Sequence, residues 1–130
     1  MTKENNFRYL VEEVGNAFSL SYRELKEKYN DFPMSLIKYI DKDDHEEYIE
    51  VNFDNRNASI IFFFFDNEEK KCMHSLIYFH YSKDEDSFIH FLSETADYYS
   101  YRRHCWIFKI LFYVKLKEEP DGTYFHCYKL

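Results

Sequence analysis

The sequence predicts an α+β fold: N-terminal helices, a mainly antiparallel sheet of about five strands with a helix between strands three and four, and a C-terminal β-hairpin. Three observations carry that reading. Apolar residues near the N-terminus recur with the 3.6-residue period of a helix. From residue 49 onward the period falls to two, the mark of strands with one buried face. The strand-like stretches are grouped instead of alternating strictly with helices, which favours an antiparallel sheet over a doubly wound parallel one. A length of 130 residues fits a single domain, 1–130.

Phe7, Leu10, Val11, Val14 and Phe18 share one helical face, predicting a helix from about Asn5 to Phe18. Ser21-Tyr22-Arg23-Glu24 has the spacing of a capping box, in which the Ser and Glu side chains each satisfy a free backbone N–H. It opens a short second helix with Tyr22, Leu25 and Tyr29 on its apolar side, and Pro33 disfavours helical geometry in the residue before it. Met34–Ile40 reads equally as a helical turn or a strand. Ile49, Val51 and Phe53 alternate with Glu50 and Asn52 as a half-buried strand, and Asp54-Asn55-Arg56-Asn57 is a turn. Ile60–Phe65 is apolar on both faces, so it calls for cover on both sides and a central place. Uncovered, such a strand is an aggregation hazard, and polar flanks such as Asp66–Lys71 act as gatekeepers.

Cys72–Ser82 reads as a third strand. Phe88, Phe91, Leu92, Thr95 and Tyr99 predict a helix over Asp86–Tyr99, with a strand through Ser87–Leu92 as the competing reading. Trp106, Phe108, Ile110, Phe112, Val114 and Leu116 then alternate with Lys109, Lys115 and Lys117 along one strand. Glu119-Pro120-Asp121-Gly122 turns the chain into a last strand, Tyr124–Leu130.

Composition excludes several functions. With only Gly15 and Gly122, neither a dinucleotide-binding glycine loop nor a P-loop can be built. The net charge of −7 disfavours general nucleic-acid binding. Its distribution is uneven: residues 101–130 carry +3 and the remainder −10. Three cysteines without C-x-x-C spacing argue for reduced thiols, the N-terminus MTKENNFRYL lacks the apolar core of a secretory signal, and no apolar run spans a membrane. A cytoplasmic location is the expectation.

Candidate chemistry is sparse. Each cysteine has a histidine nearby, in Cys72-x-His74, His104-Cys105 and His126-Cys127. Residues 72 and 74 would share a strand face, but no zinc spacing is present, so no metal or other cofactor is assigned. His90 and Glu94 lie i, i+4 with Asp97 following, but no nucleophile motif joins them; a solvated helix pair explains them. Lys109, Lys115 and Lys117 read as guards against edge-to-edge sheet pairing.

Twenty-two per cent of the residues are aromatic, more than a core this small can absorb, and surplus Tyr and Phe are what interfaces are enriched in. The candidate protein-binding residues are Tyr98, Tyr99, Tyr101, Arg102 and Arg103, where tyrosines flank two arginines, and the acidic Asp43, Asp44, Glu46 and Glu47. Element order, size and a pI near 5.3 resemble those of small acidic class I secretion chaperones. The chain departs from that pattern in extra residues between Ser19 and Ile40 and in ending at its last strand. The function expected is a non-catalytic protein-binding module acting by occlusion, as an inhibitor, immunity-type protein or chaperone does. Its acidic field would steer a basic protein partner. The alternative is a small enzyme or ligand-binding domain with a pocket in a curved sheet. An obligate homodimer that covers Ile60–Phe65 fits either.

Overall fold

The structure, a computed structural model, describes residues 2–40, 45–65, 71–109 and 111–130, and of residues 37–40, 45–47 and 65 the backbone alone. Two helices, α1 (Lys3–Ala17) and α2 (Tyr22–Lys28), precede four strands, β1 (Met34–Ile40), β2 (His45–Phe53), β3 (Ala58–Phe65) and β4 (Cys72–Phe79). Helix α3 (Ser82–Thr95) leads to β5 (Tyr98–Ser100), β6 (Cys105–Phe108), β7 (Phe112–Glu119) and β8 (Gly122–Lys129). All eight strands join one antiparallel sheet in the order β1-β2-β3-β4-β8-β7-β6-β5. The two four-stranded meanders therefore meet at β4 and β8, and α3 carries the chain from the middle of the sheet to its far edge.

The expected sheet of about five strands with a helix between strands three and four is corrected in three places. Met34–Ile40 is a strand, not a helical turn, because it pairs along its whole length with β2. Every later strand moves up by one, so the helix lies between β4 and β5. The stretch 106–116 is not one strand but β6 and β7, folded back with Trp106 opposite Val114 and Phe108 opposite Phe112. A short turn that preserves parity leaves period-two alternation intact, so the pattern cannot register the fold-back. Finally, α3 ends at Thr95 and Tyr98–Ser100 is a strand. The Asp97 N–H donates to the Ile107 carbonyl at 2.9 Å and its Oδ2 accepts from the Lys109 N–H at 2.7 Å, which ties this stretch to the second meander. An order of two helices, four strands, helix and four strands also departs from the secretion-chaperone order.

Other local readings hold. The Ser21 hydroxyl accepts from the Glu24 N–H at 3.2 Å and the Glu24 carboxylate from the Ser21 N–H at 3.1 Å, completing the capping box. Asn57, at φ 55°, closes the β2–β3 turn in the left-handed conformation that Asn tolerates. Glu119 pairs with Gly122 across the Pro120-Asp121 turn of the last hairpin.

All three helices lie against one side of the sheet. Tyr29 stacks on Phe62 at 5.7 Å, Phe7 meets Phe79 and Phe88 edge-on at 5.6 and 5.3 Å, and the Trp106 indole N–H donates to Ser93 on α3 at 3.2 Å. Ile49, Val51, Phe53, Ile60, Phe62, Ile77, Phe112, Val114, Phe125 and Cys127 point into this core and are almost fully buried. Glu13 links α1 to α2, accepting from Lys28 at 2.8 Å and from the Tyr29 hydroxyl at 2.6 Å. Among the described residues no helix is long and apolar enough to cross a membrane.

Candidate functional site

With the helices on one side, the opposite face of the sheet is left open, and its residues alternate with those of the core. Outward positions of a half-buried strand are ordinarily polar. Here the cross-strand register lines up Tyr48, Phe63, His74, Tyr128 and Tyr113 across β2, β3, β4, β8 and β7. Their rings follow one another at 5.6, 4.7, 4.4 and 5.2 Å between centroids, and the last three pairs lie within 24° of parallel. Ile107 and Tyr98 continue the register to the far edge. All five rings are partly exposed. The row spans roughly 20 Å across five strands and takes one residue from each.

Ile60–Phe65 explains how the face arises. Ile60, Phe62 and Phe64 fill the core, while Ile61 and Phe63 stay partly exposed on the open side. A strand apolar on both faces calls for cover on both sides, and the described residues supply it on one.

The centre of the row is a pair of imidazoles. His74 Nε2 and His126 Nδ1 lie 2.9 Å apart, and ring centroids 5.1 Å apart fit an in-line N–H···N bond between neighbouring edges. Burial, then the charge of His126, pulls His74 down to about 4; burial and Lys117 lower His126. Both rings are therefore neutral at pH 7 and the centre of the face carries no charge. Lys115 and Lys117 rim it on β7 and Glu50 on β2. β6 pairs with β7 only at residues 112–114, so Lys115 and Lys117 lie on the stretch of β7 that extends past β6; Lys109 sits in the β6–β7 turn.

A polar corner adjoins the row. The Tyr78 hydroxyl donates to Glu50 at 2.5 Å, and the Ser59 hydroxyl lies 3.0 Å from His80 Nε2. Ser59 and His80 have the spacing of a nucleophile and base. However, Ser59 is 2 % exposed, its strand is laddered on both sides, and no described carboxylate bonds the His80 ring. His90 and Glu94 are 3.0 Å apart and well exposed on the rim of a cleft of about 480 Å3 between α1 and α3.

The residues singled out in the sequence are spread widely. Tyr98 is half exposed on the edge strand β5, and Tyr99 packs edge-on against Trp106 at 5.2 Å. Tyr101, 82 % exposed, lies with Arg102 and Arg103 in the β5–β6 turn, which the Arg103 N–H closes by donating to Ser100 Oγ at 3.2 Å. Glu46 and Glu47 lie on β2, roughly 30 Å across the sheet from β5; Asp43 and Asp44 fall outside the described residues. The structure thus does not bring the basic and acidic candidates together. Cys72 and His74 do not share a face. A register shift at Phe63/Phe64 pairs Cys72 with Phe64 in the core and leaves His74 on the open side. Among the described residues no group of three or more His, Cys, Asp or Glu is placed to hold a metal ion.

Sequence reasoning missed Phe63, His74, Tyr113, His126 and Tyr128 as a unit. The available signal was aromatic residues at the outward parity of successive strands, but it becomes a surface only once the register is known. Comparison with protein-family models, with curated proteins and with solved structures finds no match.

Proposed function

We propose that this chain is a non-catalytic protein-binding module that acts by occlusion, and that its contact surface is the open face of the sheet. The observation that carries the reading is the in-register row of rings on the side its helices leave bare. Large rigid rings at low conformational-entropy cost are what interface hot spots are made of. A protein is a better match than a nucleic acid for two reasons. The net charge of −7 repels phosphate. Base-stacking platforms also need ring faces turned to solvent, whereas Phe63, His74, Tyr128 and Tyr113 turn their faces to one another. The acidic field supports a basic partner. The three cysteines are buried and unpaired, which supports a reducing compartment such as the cytosol. Tyr98, at the end of the row, links the face to the Tyr101-Arg102-Arg103 turn, which we propose as its flank.

The test is retention of a partner from native-host extract at low salt by immobilised protein. Wild type is expected to retain one, and Tyr128→Lys, whose fold is checked by its thermal transition, is expected to lose it. Retention unchanged in Tyr128→Lys but lost on Arg102→Ala/Arg103→Ala would move the contact surface to the turn. A solution mass of two chains that Tyr128→Lys halves would make a second copy the occupant.

A further inference from the structure

At the end of the open face where β2 turns into β3 lies a cleft of about 240 Å3 lined by residues of β1 to β4. Its lining offers the Glu50 carboxylate and the Asn52 amide oxygen as acceptors, beside the Ser35 and Ser59 hydroxyls. Glu50 uses one carboxylate oxygen for the Tyr78 hydroxyl, at 2.5 Å, and its second oxygen has no hydrogen-bond partner among the described residues. Asn52 Oδ1 is buried beside it with no donor. The Tyr78 proton is already committed to Glu50, and no Lys or Arg stands among the described lining residues. An acceptor cut off from water next to a carboxylate is relieved by a cation that brings donors, and made worse by an anion or another acceptor.

Residues 50 and 52 share a strand face, about 7 Å apart along the backbone. A forked donor spans that separation better than a point charge. A guanidinium carries five N–H donors and no acceptor. Pro33 offers apolar surface for a methylene stem, whereas the Met34 side chain pairs with Val51 on the core face. The cleft is continuous with the aromatic face, since the Tyr78 ring lies 6.0 Å from that of Tyr124. We infer that this cleft receives an arginine side chain of the protein that docks on the open face. The inference rests on that face being the contact surface, and the charge of −7 steers a basic segment toward it.

The test is an amide-resolved NMR titration of the whole chain with three probes. They are Nα-acetyl-arginine methylamide, its neutral citrulline counterpart, and agmatine, a free small cation. The arginine probe is expected to bind in the millimolar range, shifting the amides of Glu50, Asn52, Ser59 and Tyr78, with the citrulline probe about tenfold weaker or more, as loss of a charge-assisted fork requires. Glu50→Gln and Asn52→Leu are each expected to weaken the arginine probe about fivefold, with spectra otherwise unchanged. Equal binding of arginine and citrulline, or arginine shifts confined to other residues, overturns the proposal. Agmatine binding without the arginine probe overturns it in favour of a free-cation site. Tyr128→Lys separates the two ideas, since it lies in the ring row and not in the cleft. If Tyr128→Lys loses the partner while no arginine binds, the anchor falls and the docking face stands. If arginine binds while the partner ignores Tyr128→Lys, the docking face falls and the delivered arginine falls with it.

Discussion

At His74 the imidazole is sandwiched between Phe63 at 4.7 Å and Tyr128 at 4.4 Å, and its edge is spent on His126. An unfolded histidine titrates near 6.5, whereas this one is pulled to about 4 by burial and then by the charge of His126. As pH falls from about 6.5 to 4, the unfolded chain takes up a proton that the folded chain refuses, so stability declines across that window and is complete above it. The loss is about 1–2 kcal/mol by pH 4.5, allowing for partial exposure. His74→Phe keeps the stack and removes the proton site. Urea midpoints at pH 7 and 4.5 should therefore differ less in His74→Phe than in wild type, and an equal difference refutes the assignment. Asn52 poses the opposite problem, a buried oxygen without a donor. Asn52→Leu should raise stability by ~1 kcal/mol, seen as a higher Tm, and a lower Tm would mean the oxygen has a partner. Neither residue announces itself in the sequence. His74 reads as half of a Cys-x-His pair, and Asn52 as one polar tooth of an alternating strand.

The elements most legible in the sequence are those whose signal is local. Ser21 and Glu24 declare their helix start by spacing alone, and the box forms at 3.2 and 3.1 Å. Ser21→Ala should cost ~1 kcal/mol in chemical denaturation, and no change would mean that tertiary packing alone holds α2. Phe7, Leu10 and Val14 mark α1 by period in the same way, and all three are buried. Legibility fails where two structures share one pattern. Trp106, Phe108, Phe112 and Val114 keep the same parity in one long strand or in two strands folded back, because the turn between them preserves it. Tyr99 continues the helical spacing of Phe88 and Phe91 but belongs to β5, held by the bonds of Asp97 to Ile107 and Lys109. Cys72 and His74 would share a face in a regular strand, and the register shift between Phe63 and Phe64 parts them. Turns, bulges and partner bonds of this kind are long-range facts, and a period does not encode them.

Across the whole molecule, the division of the rings between two faces resolves the aromatic surplus. Phe7, Tyr29, Phe53, Phe62, Phe64, Phe79, Phe88, Phe91, Phe112 and Phe125 fill the helix-covered side. Tyr48, Phe63, Tyr78, Tyr113, Tyr124 and Tyr128 stand on the other. Composition could show that the rings exceed the core, and it could not show that register gathers Tyr48, Phe63, Tyr113 and Tyr128 with His74 into one row, beside the Tyr78–Tyr124 pair, at the junction of the two meanders. The central claim is that this row is covered when the protein works. Covalent tyrosine footprinting tests it directly, comparing the purified chain with the chain in native-host extract. Tyr78, Tyr113, Tyr124 and Tyr128 should lose reactivity severalfold in the extract while Tyr81, exposed at the start of α3, keeps it. Face tyrosines as reactive in the extract as in the purified chain would contradict the account.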